Sequence, residues 1–144
     1  MATLRVVHYL NQFFAGIGAE DRADTPPDHR EGPVGPGRLL QQALGDRAEV
    51  VATVYCGDNY AGEKQGAIDE ILDLVAEHRS EIVIAGPAFS AGRYGLACGG
   101  VTLRARERLV DPDVDARGEL TVPMRYLHGA MDPNGSSRLT VRFE

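Results

Sequence analysis

The stretch "EIVIAGPAFSAGRYGLACGG", residues 81–100, runs from a β-branched apolar segment through a glycine-rich join into a segment that can coil. Ile82, Val83 and Ile84 predict a short buried strand over residues 81–86. Leu96, Val101, Leu103 and Leu109 predict a helix over residues 94–109, which its early glycines weaken by about 1 kcal/mol each. A strand that feeds a helix is the repeating unit of an α/β fold. The rest of the chain therefore has to be searched for more such units.

Two lie upstream. "LRVVHYL", residues 4–10, reads as a buried strand, and "RLLQQAL", residues 38–44, as a short helix stopped by Gly45. "AEVVATVY", residues 48–55, is a second strand. A helix over residues 63–79 follows, with Ile68, Ile71, Leu72 and Val75 on one face. Residues 11–37, rich in Gly, Pro and Asp, read as one long loop, a length that is usually functional or disordered. Downstream, residues 110–119 read as a polar turn and "LTVPMRYL", residues 120–127, as a fourth strand. Pro123 puts that strand at an edge, since it cannot donate to a central ladder. "RLTVRFE", residues 138–144, alternates like a half-buried strand. Right-handed crossovers then predict one α/β domain over residues 1–144. It should be three-layered and Rossmann-like, a mostly parallel sheet with helices on both faces.

Bulk properties narrow the function. The 144 residues suffice for a hydrophobic core. The net charge of −6, with no basic cluster, argues against a nucleic-acid partner. No apolar run approaches the roughly 20 residues of a membrane span. "MATLRVVHYL" reads as a strand and lacks the pattern of a signal peptide, so a cytoplasmic location is expected. Two cysteines make no disulfide framework and are expected as free thiols.

Ligands of open α/β sheets sit beyond the carboxyl ends of the strands. The connections there are "NQFFAGIGAED", "CGDNYAGE", "GPAFSAGRYGLACG" and "HGAMDPNG", all rich in glycine and polar groups. The amino-end connections "GDRAE" and "EHRSE" are short and plain. Asn11 and Gln12 end the first strand, as ligand contacts or polar caps. Asp58 and Asn59 suit a site or a tight turn equally. Arg93, beside Tyr94, can clamp a carboxylate or make a surface ion pair. Cys56 and Cys98 are small buried hydrophobes or reactive thiols. Cys98 lies near a helix start, which would lower its pKa. Cys56, Cys98 and His128 match no zinc spacing, so no metal is expected. "GPVGPG", residues 32–37, precedes a helix start that can bind an anion or simply turn the chain. His8 reads as structural, and His29 and His78 as exposed.

Taken together, "VVHYLNQFFAGIGAEDRAD", "EGPVGPG", "AEVVATVYCGDNYAGE" and "IAGPAFSAGRYGLACG" resemble, in order, the amino-terminal part of the glycine/sarcosine/betaine reductase selenoprotein B family, to which D-proline reductase subunits are related. The likeness runs from about residue 5 to residue 100. It implies reductive C–N bond cleavage on a small amine or amino acid. A selenolate or thiolate attacks the carbon bearing the amine, and thiols resolve the adduct with electrons from a thioredoxin-type dithiol system. The family's redox motif, a selenocysteine and two cysteines at three-residue spacing, lies later in the full-length proteins, and Cys56 and Cys98 do not match it. The nucleophile is therefore not carried over, and no cofactor is expected in this chain. Asn11, Gln12, Glu20, Asp58 and Asn59 stand in matching motifs, as do Cys56, Arg93, Tyr94 and Cys98. Site-lining roles are expected for them, and for His128 in the more divergent "HGAMDPNG". A second reductase subunit or a homo-oligomer is the expected partner. The competing reading is a non-catalytic module that binds a small molecule or regulates, and a blander one is a folded but inert product.

Overall fold

A computed structural model describes residues 3–88, 92–109, 119–123 and 138–142. The strands and helices are β1 (Leu4–Asn11), β2 (Asp28–Glu31), α1 (Gly37–Leu44), β3 (Ala48–Cys56), α2 (Asp58–Glu63), α3 (Ala67–Glu77), β4 (Ile82–Ala85), α4 (Gly92–Leu109), β5 (Glu119–Pro123) and β6 (Arg138–Arg142).

β1 occupies the centre because its run is apolar on both sides, as a strand covered on two faces must be. The order is β2-β3-β1-β4. β1 pairs in parallel with β3 and β4, and β2 joins β3 antiparallel at the edge. Val6, Val50 and Ile84 pack with Leu40 and Leu44 of α1 on one face. Val7, Tyr9, Ala52 and Val54 pack with Ile71, Leu72 and Val75 of α3 and Val101 of α4 on the other. This is the expected three-layer, mostly parallel α/β arrangement.

Three expectations are revised. The 11–37 segment is not one loop: it holds a 3₁₀ turn at Glu20–Arg22 and the strand β2. β2 reads "DHRE", with no apolar alternation, because an edge strand tolerates charge on both faces. The helix expected over 63–79 is shorter: Glu63 closes a separate helix, α2, Gly66 takes φ +83°, and α3 starts afresh at Ala67. The stripe Ile71, Leu72 and Val75 is buried as expected. The fourth strand does not extend the parallel sheet: β5 pairs antiparallel with β6 in a separate two-stranded sheet. The burial pattern proposed for "RLTVRFE" lies outside the described residues.

α4 begins at Gly92, two residues before the expected start, and packs on α3. Gly100 faces α3 there: a Cβ on it would touch Ile68 Cδ1 at 3.4 Å, an ordinary contact. Arg104 pairs with Asp69 at 3.2 Å, and Arg108 pairs with Asp69 and Asp73. Such exposed pairs contribute about 0–1 kcal/mol each. They align the two helices more than they stabilise them.

Candidate functional site

β1 leads to α1 on one face of the sheet, and β4 leads to α4 on the other. Their carboxyl ends diverge at a topological switch point, where such folds bind ligands. The polar residues expected at the site gather there.

Asn11 and Gln12 are supports. Asn11 Nδ2 donates to Asp58 Oδ2 at 3.0 Å, and its Oδ1 accepts from the Phe14 amide at 2.9 Å. Gln12 Oε1 accepts from the Asp58 amide at 3.0 Å, while its Nε2 donates to the Ala19 carbonyl at 3.2 Å. Their side chains fix Asp58 and the loop after β1. Residues 23–25 of that loop lie directly on the start of α2. The Gly57 amide donates to Thr25 O, and the Asn59 and Tyr60 amides to Ala23 O. A Cβ on Gly57 would stand 2.1 Å from Ala23 O, so only glycine fits in "CGDN".

Arg93 does not stand open as a carboxylate clamp. Its Nη2 donates to both Glu20 oxygens, at 2.9 and 2.8 Å, and its Nη1 donates to Asn59 Oδ1. The latch joins the loop after β1 to the first turn of α4. It is half exposed, with side-chain accessibilities of 43% for Arg93 and 72% for Glu20, so water and ligands reach it.

Beneath the latch the site becomes dry. Asp58 is 9% exposed, and burial raises its carboxyl above the usual range. The Asn11 hydrogen bond and the Arg93 charge act in the opposite direction. Tyr9 and Tyr94 are buried, with ring centroids 6.5 Å apart, and Phe14 lies 5.6 Å from Tyr94. Burial also drives both phenols well above their normal pKa. Tyr9 reads in the sequence as one more apolar strand residue; its position at the carboxyl end of β1 is the signal that could have singled it out.

The thiols differ from expectation. Burial, with the charges of Glu70 and Asp58, pushes Cys56 up to about 12. Burial, with the charge of Asp58, pushes Cys98 up to about 12 as well, although Tyr94 counteracts it. Cys98 lies in the second turn of α4, where the helix field has faded, so desolvation wins. The expected fall in pKa is therefore reversed.

"GPVGPG" also has an internal use. The Gly37 and Arg38 amides donate to Val34 and Gly35 carbonyls. A Cβ on Gly37 would lie 2.9 Å from His8 Nδ1, so the glycine admits the histidine. His8 Nε2–H donates to Gly86 O at 2.5 Å, and burial lowers its pKa to about 4. It is structural, as read. His29 and His78 are half-buried, not exposed: His29 Nδ1 and His78 Nε2 share a hydrogen bond of 2.7 Å. His128 lies outside the described residues.

The sequence matches the family described as Glycine/sarcosine/betaine reductase selenoprotein B over residues 3–117. The chain belongs to this family. It is 54% identical over 115 residues to the sarcosine reductase complex component B subunit beta of Peptoclostridium acidaminophilum, covering 79% of this chain and 26% of the relative. It is 52% identical over 115 residues to the glycine reductase complex component B subunit gamma of Carboxydothermus hydrogenoformans, with the same coverage. It is 41% identical over 111 residues to the betaine reductase complex component B subunit beta of P. acidaminophilum, covering 76% of this chain and 25% of the relative. The chain thus spans about a quarter of the length of these relatives. No solved structure matches it significantly. Among the described residues, no helix is long and apolar enough to cross a membrane.

Proposed function

We propose that this chain is part of component B of a reductase that cleaves the C–N bond of a small amine or amino acid, and that its strand-end loops wall the substrate site. The observation that carries the reading is where the family-matched loops meet. Gln12, Glu20, Asp58, Asn59, Arg93 and Tyr94 converge from three loops on one edge of the sheet. Arg93 is the group for a ligand carboxylate, which replaces Glu20 on the guanidinium. The selenolate or thiolate that attacks the amine-bearing carbon comes from outside residues 1–144. Electrons for resolving the adduct come from a thioredoxin-type dithiol system.

A second reading, a non-catalytic binding or regulatory module, draws on the thiols. Both have pKa values of about 12, and neither is a ready nucleophile at neutral pH. Alkylation with iodoacetamide tests the difference. Both thiols are expected to react only on unfolding; fast, site-selective labelling of either in the folded chain would return catalysis to this polypeptide.

Calorimetric titration with glycine, sarcosine and betaine tests the main reading. At least one should saturate, and Arg93→Ala should weaken it about tenfold or more, some 1.4 kcal/mol. The melting temperature should barely move, because an exposed ion pair contributes about 0–1 kcal/mol. No binding of any of the three, or binding indifferent to Arg93, would sink the substrate-wall reading.

A further inference from the structure

Five side chains among the described residues carry a buried polar atom without a hydrogen-bond partner, and three of them meet at this site. They are the hydroxyls of Tyr9 and Tyr94 and Oδ1 of Asp58, in residues 0%, 7% and 9% exposed; of the three, only the Tyr94 hydroxyl has a weak partner beside it, the Cys98 thiol. Each unpaired buried group costs about 1–3 kcal/mol. Native structures hold few such groups, and a concentration of them points to a function.

The three form one cluster. The tyrosine rings are 6.5 Å apart, and both phenols lie within electrostatic reach of Asp58. Asp58 cannot swing to satisfy itself. Asn11 holds Oδ2, Gln12 holds the amide, and Oδ1 is left aimed by those two bonds. A carboxylate oxygen only accepts, and a phenol accepts as readily as it donates. The neighbouring Cys56 and Cys98 remain neutral thiols. Arg93, the nearest cation named by the electrostatics of Asp58, is committed to Glu20 and Asn59. Oδ1 of Asp58 is therefore the atom that lacks a donor, and a cation is the donor an ionised carboxylate binds most strongly.

We propose that Asp58, Tyr9 and Tyr94 form a subsite for the ammonium end of a small amine that still carries N–H bonds. The proposal rests on the reading of the site as one for a small amino compound, and it orients that compound. The carboxylate lies outward at Arg93, and the nitrogen inward at Asp58. An ammonium group there donates to Oδ1 and to lone pairs of the phenol oxygens, which gives the carboxylate oxygen the donor it lacks. It also restores the ionised form of Asp58, which burial alone disfavours. A quaternary nitrogen has no N–H to give and leaves the same three atoms unpaired.

NMR titrations of the full chain with methylammonium chloride, tetramethylammonium chloride and sodium acetate separate the parts. Methylammonium should saturate with shifts at Tyr9, Asp58 and Tyr94, about tenfold or more tighter than tetramethylammonium. Asp58→Asn, which keeps the shape, should weaken methylammonium about tenfold and leave acetate unchanged. Tyr9→Phe should weaken it severalfold, while the ligand-free melting temperature stays level or rises, because an unpaired hydroxyl is removed. Equal binding of the two cations, or methylammonium binding indifferent to Asp58, overturns the subsite. So does a clear loss of ligand-free stability in Tyr9→Phe, which would mean an ordered water already satisfies the hydroxyl. If acetate binds through Arg93 and methylammonium does not bind, this inference alone fails. If neither binds, the substrate-wall reading fails with it.

Discussion

The two edges of the sheet differ in how they treat polar groups. At the amino edge most are mated. Arg5 donates to the His78 carbonyl and its amide to Glu81, Gln41 joins Ala48 and Val50, and His29 pairs with His78. Ser80 is the exception. A cavity of about 530 Å³ lies there, lined by Arg5, Glu31, Gln41, Glu49 and His78, but it is open and these hydrogen bonds occupy much of its polar wall. At the carboxyl edge the outer polar groups are mated and the inner ones are not. Glu20, Arg93 and Asn59 latch the mouth, while Tyr9, Tyr94 and Asp58 beneath keep unpaired atoms. An edge built only to connect satisfies its polar groups; an edge built to bind leaves some waiting.

The largest test of that contrast concerns the scaffold. Gly57→Ala drives a Cβ into the Ala23 carbonyl, backbone against backbone, so the loop after β1 has to lift from α2. A loss of about 3 kcal/mol, the upper end for overpacking, is expected in chemical denaturation. Gly62→Ala, on the exposed side of the same short helix with nothing within 4 Å, should instead gain up to about 1 kcal/mol. Equal effects would mean that the loop is not seated on α2.

Acid comes next. His8 has a pKa of about 4 in the fold, below its ordinary 6.5. Between those values the unfolded chain takes a proton that the folded chain refuses. Stability should therefore be intact above about pH 6.5 and fall towards pH 4, by up to about 3 kcal/mol from this residue. The raised carboxyl of Asp58 acts in the opposite sense and trims the fall. Denaturation of wild type and His8→Gln at pH 7 and pH 4.5 checks it. A fall of the same size in His8→Gln would assign the acid sensitivity elsewhere.

The smallest effect concerns the latch. Glu20→Gln removes the carboxylate that competes for Arg93, so acetate or glycine should bind a few-fold more tightly, with the stability change under about 1 kcal/mol. Weaker binding would make Glu20 part of the ligand site and not its occupant.

Much of this was legible in order. The strands at 4–10, 48–55 and 81–86 and the α3 stripe carry periodicity that burial imposes; in α4 the expected stripe fails, since Leu96 and Leu103 are 80% and 62% exposed and the helix packs through Tyr94, Ala97, Cys98, Val101 and Ala105. β2 was not legible, because "DHRE" has no apolar alternation and forms only by adding to the edge of β3. The break before α3 was missed because the stripe Ile68, Ile71, Leu72 and Val75 marks a face and not a start. At the site, Asn11, Gln12, Glu20, Asp58, Asn59 and Arg93 announce themselves as polar residues beyond strand ends. That Asn11 and Gln12 serve Asp58 and that Arg93 is held by Glu20 depends on loops meeting across 46, 47 and 73 positions of chain.

By itself the sequence determined the α/β class, the polar edge and the family, since periodicity, composition and motif order are local properties. Tertiary structure alone decided the chemistry of each group. A cysteine near a helix start became a buried thiol with a raised pKa, and a strand tyrosine became an unpaired hydroxyl within reach of a carboxylate. Both follow from desolvation, which depends on what surrounds a residue in space and not on what adjoins it in the chain.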